Sequence, residues 1–331
     1  MSEHSAHPAG VSAAATPAAS RRALLAGAAG IGLLEIIVFA DVAGLMRGPA
    51  AAAFGKYVRI YLTPIAWALY LLAMVGTLGV LDGAGWYRRY KNRFWICFLW
   101  SIPCWCFFDW VNFYFMRSRT TGLYAWEYSG LPHGFLEYRV LGYLVAFGAV
   151  LPAMFLAAEA LMRLGLHRLR SSPVRIPWVI QAAVFVLGII FFLAPFVLRS
   201  AISNLMLWVS LIFLLDPINF WLKRPSIIGD WRAGRWGRTF SLMGGGLWCG
   251  LLWEFWNYWA LAKWRYHLAF LGSWQHVRYF QMPVPGLLGF ISFGVETWVM
   301  WQFGLLILSP CVEAARPGTA VGDAVHEFGC L

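Results

Sequence analysis

Long apolar runs, broken by short polar and basic stretches, set the pattern of this chain. A run of about 20 apolar residues crosses a bilayer as a helix. Eight such runs stand at roughly 23–46, 57–81, 94–115, 138–164, 176–198, 203–222, 239–262 and 285–308, the sixth interrupted by Asp216-Pro217. The pattern predicts an all-α integral membrane protein of about eight transmembrane helices. Residues 1–22 carry no hydrophobic period and read as a disordered tail. Residues 309–331, mixed and Gly/Ala-rich, read as a second tail. Ser20-Arg21-Arg22-Ala23-Leu24-Leu25 is similar to a twin-arginine signal. The apolar run continues past Glu35 to Met46, and seven more follow, so the stretch reads as a basic flank of the first span.

Composition supports a membrane-embedded body. Only 12% of the 331 residues are charged, against roughly 25% in a soluble domain, and mean hydropathy is +0.64. The net charge of +11 lies in short loops between apolar runs, so it signals orientation rather than nucleic-acid binding. Sixteen Lys and Arg fall in loops on one side and ten on the other, with the dense clusters at 88–93, 163–175 and 223–238 all on the first. The positive-inside rule then places both termini in the cytoplasm of an inner membrane, with loops 116–137 and 263–284 facing outward. Six Cys form no CxxC pair, so no metal site is signalled, and no cofactor motif appears.

A repeat predicts two halves. Phe108-Asp109-Trp110-Val111-Asn112-Phe113-Tyr114 matches Trp253-Glu254-Phe255-Trp256-Asn257-Tyr258-Trp259, 145 positions on. Trp126-Glu127-Tyr128 matches Trp264-Arg265-Tyr266, Leu81-Asp82 matches Leu215-Asp216, and Gly142-Tyr143 matches Gly289-Phe290, in one order at drifting offsets. The halves are 23–164 and 176–308, joined by a basic cytoplasmic linker at 165–175. With four spans each they form a parallel 4+4 repeat, and such halves build sites at their interface.

The candidate site comes from polar residues at membrane depth, where an ionisable side chain costs about 2.5–3.5 kcal/mol. Asp109 and Asn112 share one helix face and Glu254 and Asn257 another, and the two faces are expected to meet. Gly246 and Gly250 give the second face a small-xxx-small stripe for close helix approach. Glu296 lies mid-span in the eighth run, Glu35 and Asp41 in the first and Glu159 toward the cytoplasmic end of the fourth, and no Lys or Arg inside the membrane is expected to neutralise these acids. Glu254, Glu296 and Asp109 are the candidate catalytic acids. Asn112, Asn257, Trp126, Trp264, Tyr128 and Tyr266 are the candidate binding residues. The same residues also fit a purely structural role, as interhelical bonds and interfacial anchors. Asp82 and Asp216, beside basic residues at span ends, read as structural. His133, His267 and His276 lie in outer loops without metal-ligand spacing.

An acid in a span, a downstream W-x-aromatic stretch and a Pro-containing span together resemble the membrane-embedded lycopene (carotenoid) cyclase domain family. That resemblance implies duplicated helical units and redox-neutral polyene cyclisation by intramembrane carboxylates. Asp109 and Glu254 stand at the family's span acid, and Trp126 and Trp264 at its downstream Trp. Where the family has a Pro followed by paired glutamates, this chain has Met282-Pro283-Val284-Pro285-Gly286 and Phe135-Leu136-Glu137-Tyr138-Arg139. Three functions stay open: a lipid or isoprenoid binder or enzyme, with a membrane lipid or hydrophobic small molecule as partner; a proton- or ion-coupled transporter; and a non-catalytic scaffold.

Overall fold

The computed structural model describes residues 18–82, 86–118, 122–132, 136–314 and 330–331. Most of both expected tails, and His133, lie outside the described residues.

The chain is mostly helical. Eight long helices follow the eight apolar runs among the described residues: α1 (Ala18–Val42), α3 (Leu62–Leu81), α4 (Trp86–Phe115), α5 (Leu136–Arg163), α6 (Trp178–Leu198), α7 (Ala201–Trp221), α9 (Gly237–Trp259) and α10 (Leu287–Ala314). Two short helices, α2 (Pro49–Ile60) and α8 (Ile227–Arg232), lie between them. Six helices are long and apolar enough to cross a membrane. α7 has a shorter apolar stretch, Leu205–Trp221, and α9 is diluted by five glycines, Arg238, Glu254 and Asn257.

Four boundaries differ from the sequence reading. The run 57–81 is split at Tyr61, where α2 ends and α3 begins. Pro64 lacks the N–H that would bond the Ile60 carbonyl and its ring crowds that turn, so one continuous helix cannot form there. α1 begins at Ala18, inside the expected tail, because Ala18-Ala19-Ser20 continue its first turns. α4 starts at Trp86, because the Tyr87–Arg93 stretch is helical although too polar to count as apolar. α10 runs on to Ala314, past the expected end at 308.

Packing is ordered. α1 lies on α3, α3 on α5, and α5 on α4; α6 lies on α7, α7 on α10, and α10 on α9. The two groups meet mainly where α5 packs on α9, with α4 against α10 and α3 against α9. The glycine stripe of α9 works as expected: a Cβ on Gly246 would strike the Phe290 carbonyl of α10, and one on Gly294 would strike the Leu242 carbonyl of α9.

The two longest loops meet at one end of the bundle. β1 (Trp126–Ser129) pairs antiparallel with β2 (Lys263–Tyr266). A second small pair, β3 (Arg278–Tyr279) with β4 (Met282–Pro283), closes the segment before α10. Gly130, with φ of +68°, lets the chain leave β1 where a Cβ would meet the Leu261 carbonyl.

Candidate functional site

The site is built on two asparagines that hold two strands. Asn112 donates from Nδ2 to the Trp126 carbonyl (2.9 Å) and accepts from the Ala125 amide (3.0 Å). Asn257 donates from Nδ2 to the Trp264 carbonyl (2.9 Å) and accepts from the Trp264 amide (2.9 Å). A carboxamide presents donor and acceptor side by side and so matches a strand's peptide groups; a carboxylate has no donor for the carbonyl. Both side chains are fully buried, which makes their bonds costly to lose. The expectation that the two acid–Asn faces meet directly is corrected here. Each Asn is spent on its own downstream strand, and at this end of the bundle the two helix groups are joined through β1 and β2.

The strands carry the aromatic pairs. The register sets Trp126 opposite Tyr266, Glu127 opposite Arg265, and Tyr128 opposite Trp264. Behind β1, the Tyr128 hydroxyl donates to the Asp109 carboxyl, lying 3.0 and 3.1 Å from its two oxygens, and Trp126 Nε1–H donates to Oδ1 (2.9 Å). Behind β2, the Tyr266 hydroxyl donates to Glu254 Oε1 (2.9 Å) and accepts from Trp264 Nε1–H (2.8 Å). Tyr128 likewise accepts from Trp105 Nε1–H (3.2 Å). Burial pushes both tyrosine hydroxyls well above the ordinary tyrosine range, and the adjacent carboxyls add to the effect, so both remain protonated donors.

These four aromatics line one cavity of about 470 Å³ between the two helix groups. Trp105 of α4, Trp208 of α7, Trp253 of α9 and Phe293 of α10 line it too, beside aliphatic side chains such as Leu205, Leu268 and Met282. The rings touch in series: Trp105 and Trp253 lie 5.2 Å apart between centroids, Trp253 and Trp264 5.7 Å, and Trp208 and Phe293 5.0 Å. Trp105, four positions before Asp109, shares the Asp109 helix face, whereas sequence reasoning missed Trp208. A Trp inside an apolar run carries no mark that separates a cavity wall from a lipid-facing anchor.

The candidate acids do not converge on the cavity. Asp109 and Glu254 sit one residue back, behind Tyr128 and Tyr266. Glu296 is buried between α10 and α7, where Oε1 accepts from the Leu211 amide (3.2 Å) and Oε2 has no hydrogen-bond partner among the described residues. The expected lack of cations for the acids is corrected in two places: Arg59 pairs with Asp41 (3.0 Å) and Arg163 with Glu159 (3.2 Å). Lys263 donates to the Tyr258 carbonyl (2.6 Å). Asp82 and Asp216 both have structural partners: Asp82 takes two bonds from Arg163, and Asp216 accepts the Ile227 and Ile228 amides at the start of α8. Among the described residues no group of three His, Cys, Asp or Glu gathers to hold a metal.

Fold and site together define a mostly helical protein with six helices long and apolar enough to cross a membrane, the make-up of an integral membrane protein, with an aromatic cavity between two groups of helices. The chain matches no protein-family model, no curated protein and no solved structure.

Proposed function

We propose that this chain is an eight-span protein of the bacterial inner membrane, with both termini cytoplasmic, that binds a lipid or isoprenoid in the aromatic cavity between two duplicated four-helix halves. The observation that carries the reading is the cavity of about 470 Å³ walled by indole and phenol rings. An apolar, aromatic chamber of this size suits a hydrophobic ligand, and its ring faces suit a π-rich or transiently cationic one.

The duplication is supported by parallel detail. The helix groups pack in the same order, α1-α3-α5-α4 and α6-α7-α10-α9. Gly27 admits the α3 backbone at Ala73 as Gly188 admits the α7 backbone at Leu214. Asn112 and Asn257 do the same work, and the antiparallel pairing of like strands fits a two-fold axis along the membrane normal, as a parallel repeat requires.

Acid-initiated isoprenoid chemistry, as the carotenoid-cyclase resemblance implies, is supported by Asp109 and Glu254 standing behind protonated Tyr128 and Tyr266. The test is lipid mass spectrometry of the purified protein. One hydrophobic species enriched over bulk membrane lipid is expected, and it should be lost in Gly289→Phe, since nothing lies within 4 Å of a Cβ at Gly289, on the cavity wall. Bulk lipid alone in both proteins would end the reading.

One observation favours a second reading. Glu296 is fully buried with one oxygen unpartnered among the described residues, the condition of a proton-carrying acid in a coupled transporter. Acidification of proteoliposomes that disappears in Glu296→Gln would select transport over binding.

A further inference from the structure

We infer that the cleft between the C-terminal ends of α4 and α6 is a second, lateral site for a lipid with a phosphate or diphosphate headgroup. The site is separate from the central cavity and stands on its own lining residues.

The cleft has a cationic mouth and an aromatic floor. Its mouth, of about 370 Å³, is lined by Arg117, Ser118, Tyr124 and Arg199, with Phe113 and Tyr114 beneath. Phe113, Tyr114 and Tyr124 also line a groove of about 770 Å³ that runs inward past Trp110 to Tyr143 and Phe147. The two compartments therefore share a wall of three aromatic rings.

The two guanidiniums come from different helix groups. Arg117 follows α4, gives Nε–H to the Gly122 carbonyl (2.8 Å) and lies over the Tyr124 ring at 5.6 Å. Arg199 caps α6 in a left-handed conformation, φ 46°, and lies over the Phe115 ring at 6.0 Å. The Phe115 and Phe196 rings, 4.7 Å apart, hold the two helix ends together. No carboxylate among the described residues pairs with either arginine, and none lines the mouth. Asp109 and Glu127 face the groove instead. Two like charges lining one mouth favour a multivalent anion. Guanidinium forks match phosphate oxygens in pairs. The groove behind the mouth then receives the chain to which that headgroup is joined.

The test uses the full chain in detergent and three probes: farnesyl diphosphate, farnesol and inorganic diphosphate. Farnesyl diphosphate is expected to bind more tightly than inorganic diphosphate. Arg117→Gln with Arg199→Gln should weaken it by about tenfold or more and leave farnesol binding unchanged. Equal affinity in the double variant would overturn the proposal, and so would inorganic diphosphate binding as tightly as the lipid, which marks a plain anion site. Gly289→Phe fills only the central cavity, so farnesyl diphosphate binding should survive it even where the central reading fails. Loss there, with the arginine variant intact, would place the ligand centrally and overturn the lateral site. Where the double variant does not fold, salt decides. Wild-type binding that weakens with ionic strength for farnesyl diphosphate but not farnesol supports the site, and equal behaviour overturns it.

Discussion

Glu127 faces Arg265 across the β1–β2 pair, and the flanking pairings interchange about that point, with Trp126 opposite Tyr266 and Tyr128 opposite Trp264. The strand pair is short and would not stand alone in water. Asn112 and Asn257 hold it from behind, one on each strand, which ties the two helix groups into one structure at this end.

The first prediction follows from that arrangement. Asn112→Asp removes the donor to the Trp126 carbonyl and Asn257→Asp the donor to the Trp264 carbonyl. Each should destabilise by about 1–3 kcal/mol, the cost of orphaning a buried polar group. Because each variant loosens the same strand pair, the two should not add; a coupling of about 0.5–3 kcal/mol is expected in a double-mutant cycle read by thermal unfolding in detergent. Strict additivity would mean that the strands are held independently.

Much of this was legible in the chain. Apolar run length fixed the positions of the long helices to within a few residues, apart from the start of α4, the split at Pro64 and the ends where α1 and α10 run into polar sequence. The W-x-Y stretches were visible as a pair and do line a common cavity. What the asparagines bond was not legible. Their spacing from the acids marks a shared helix face, whereas their partners lie 7 to 14 positions away on strands formed by loop residues. The partners of Asp82 and Asp216 also differ, although their sequence settings match. Asp82 caps α3 and takes Arg163, whereas Asp216 lies inside α7 and accepts two backbone amides at the start of α8.

A second prediction concerns pH. Burial raises the Tyr128 and Tyr266 hydroxyls above the ordinary tyrosine value of about 10. Above that value the unfolded chain loses these protons and the folded one keeps them. Stability should be constant below about pH 10 on this account and fall as pH rises past it. Tyr128→Phe with Tyr266→Phe should flatten that decline, although it removes the hydrogen bonds to Asp109 and Glu254 and lowers stability at neutral pH. Unfolding midpoints across alkaline pH provide the measurement; an unchanged slope in the double variant would assign the decline to other groups.

The third prediction contrasts two glycines of one helix. At Gly294 an added Cβ would meet the α9 backbone, while at Gly289 it would meet nothing within 4 Å. Gly294→Ala should therefore destabilise by about 1–3 kcal/mol through overpacking. Gly289→Ala should be neutral or stabilise by up to about 1 kcal/mol, because alanine orders a helix at less entropic cost. Opposite signs in thermal unfolding are expected, and equal effects would argue against the close approach of α9 and α10.

Arg163 supplies the last prediction. Its guanidinium gives Nε–H and Nη2–H to Asp82 (2.6 and 3.0 Å) and Nη1–H to Glu159 (3.2 Å), so one cation serves two acids, one capping α3 and one within α5. Glu159 also accepts from Trp86 Nε1–H (2.9 Å) but is fully buried. Asp82→Asn keeps the Glu159 contact and should cost about 1 kcal/mol. Arg163→Gln leaves Glu159 without a counter-charge and should cost about 3–5 kcal/mol, because the buried charge is uncompensated. Adding Glu159→Gln to Arg163→Gln should recover part of that loss, since a neutral amide needs no cation. Denaturant unfolding in detergent separates the cases: a double variant less stable than Arg163→Gln alone would show that Glu159 contributes chiefly through its other bonds.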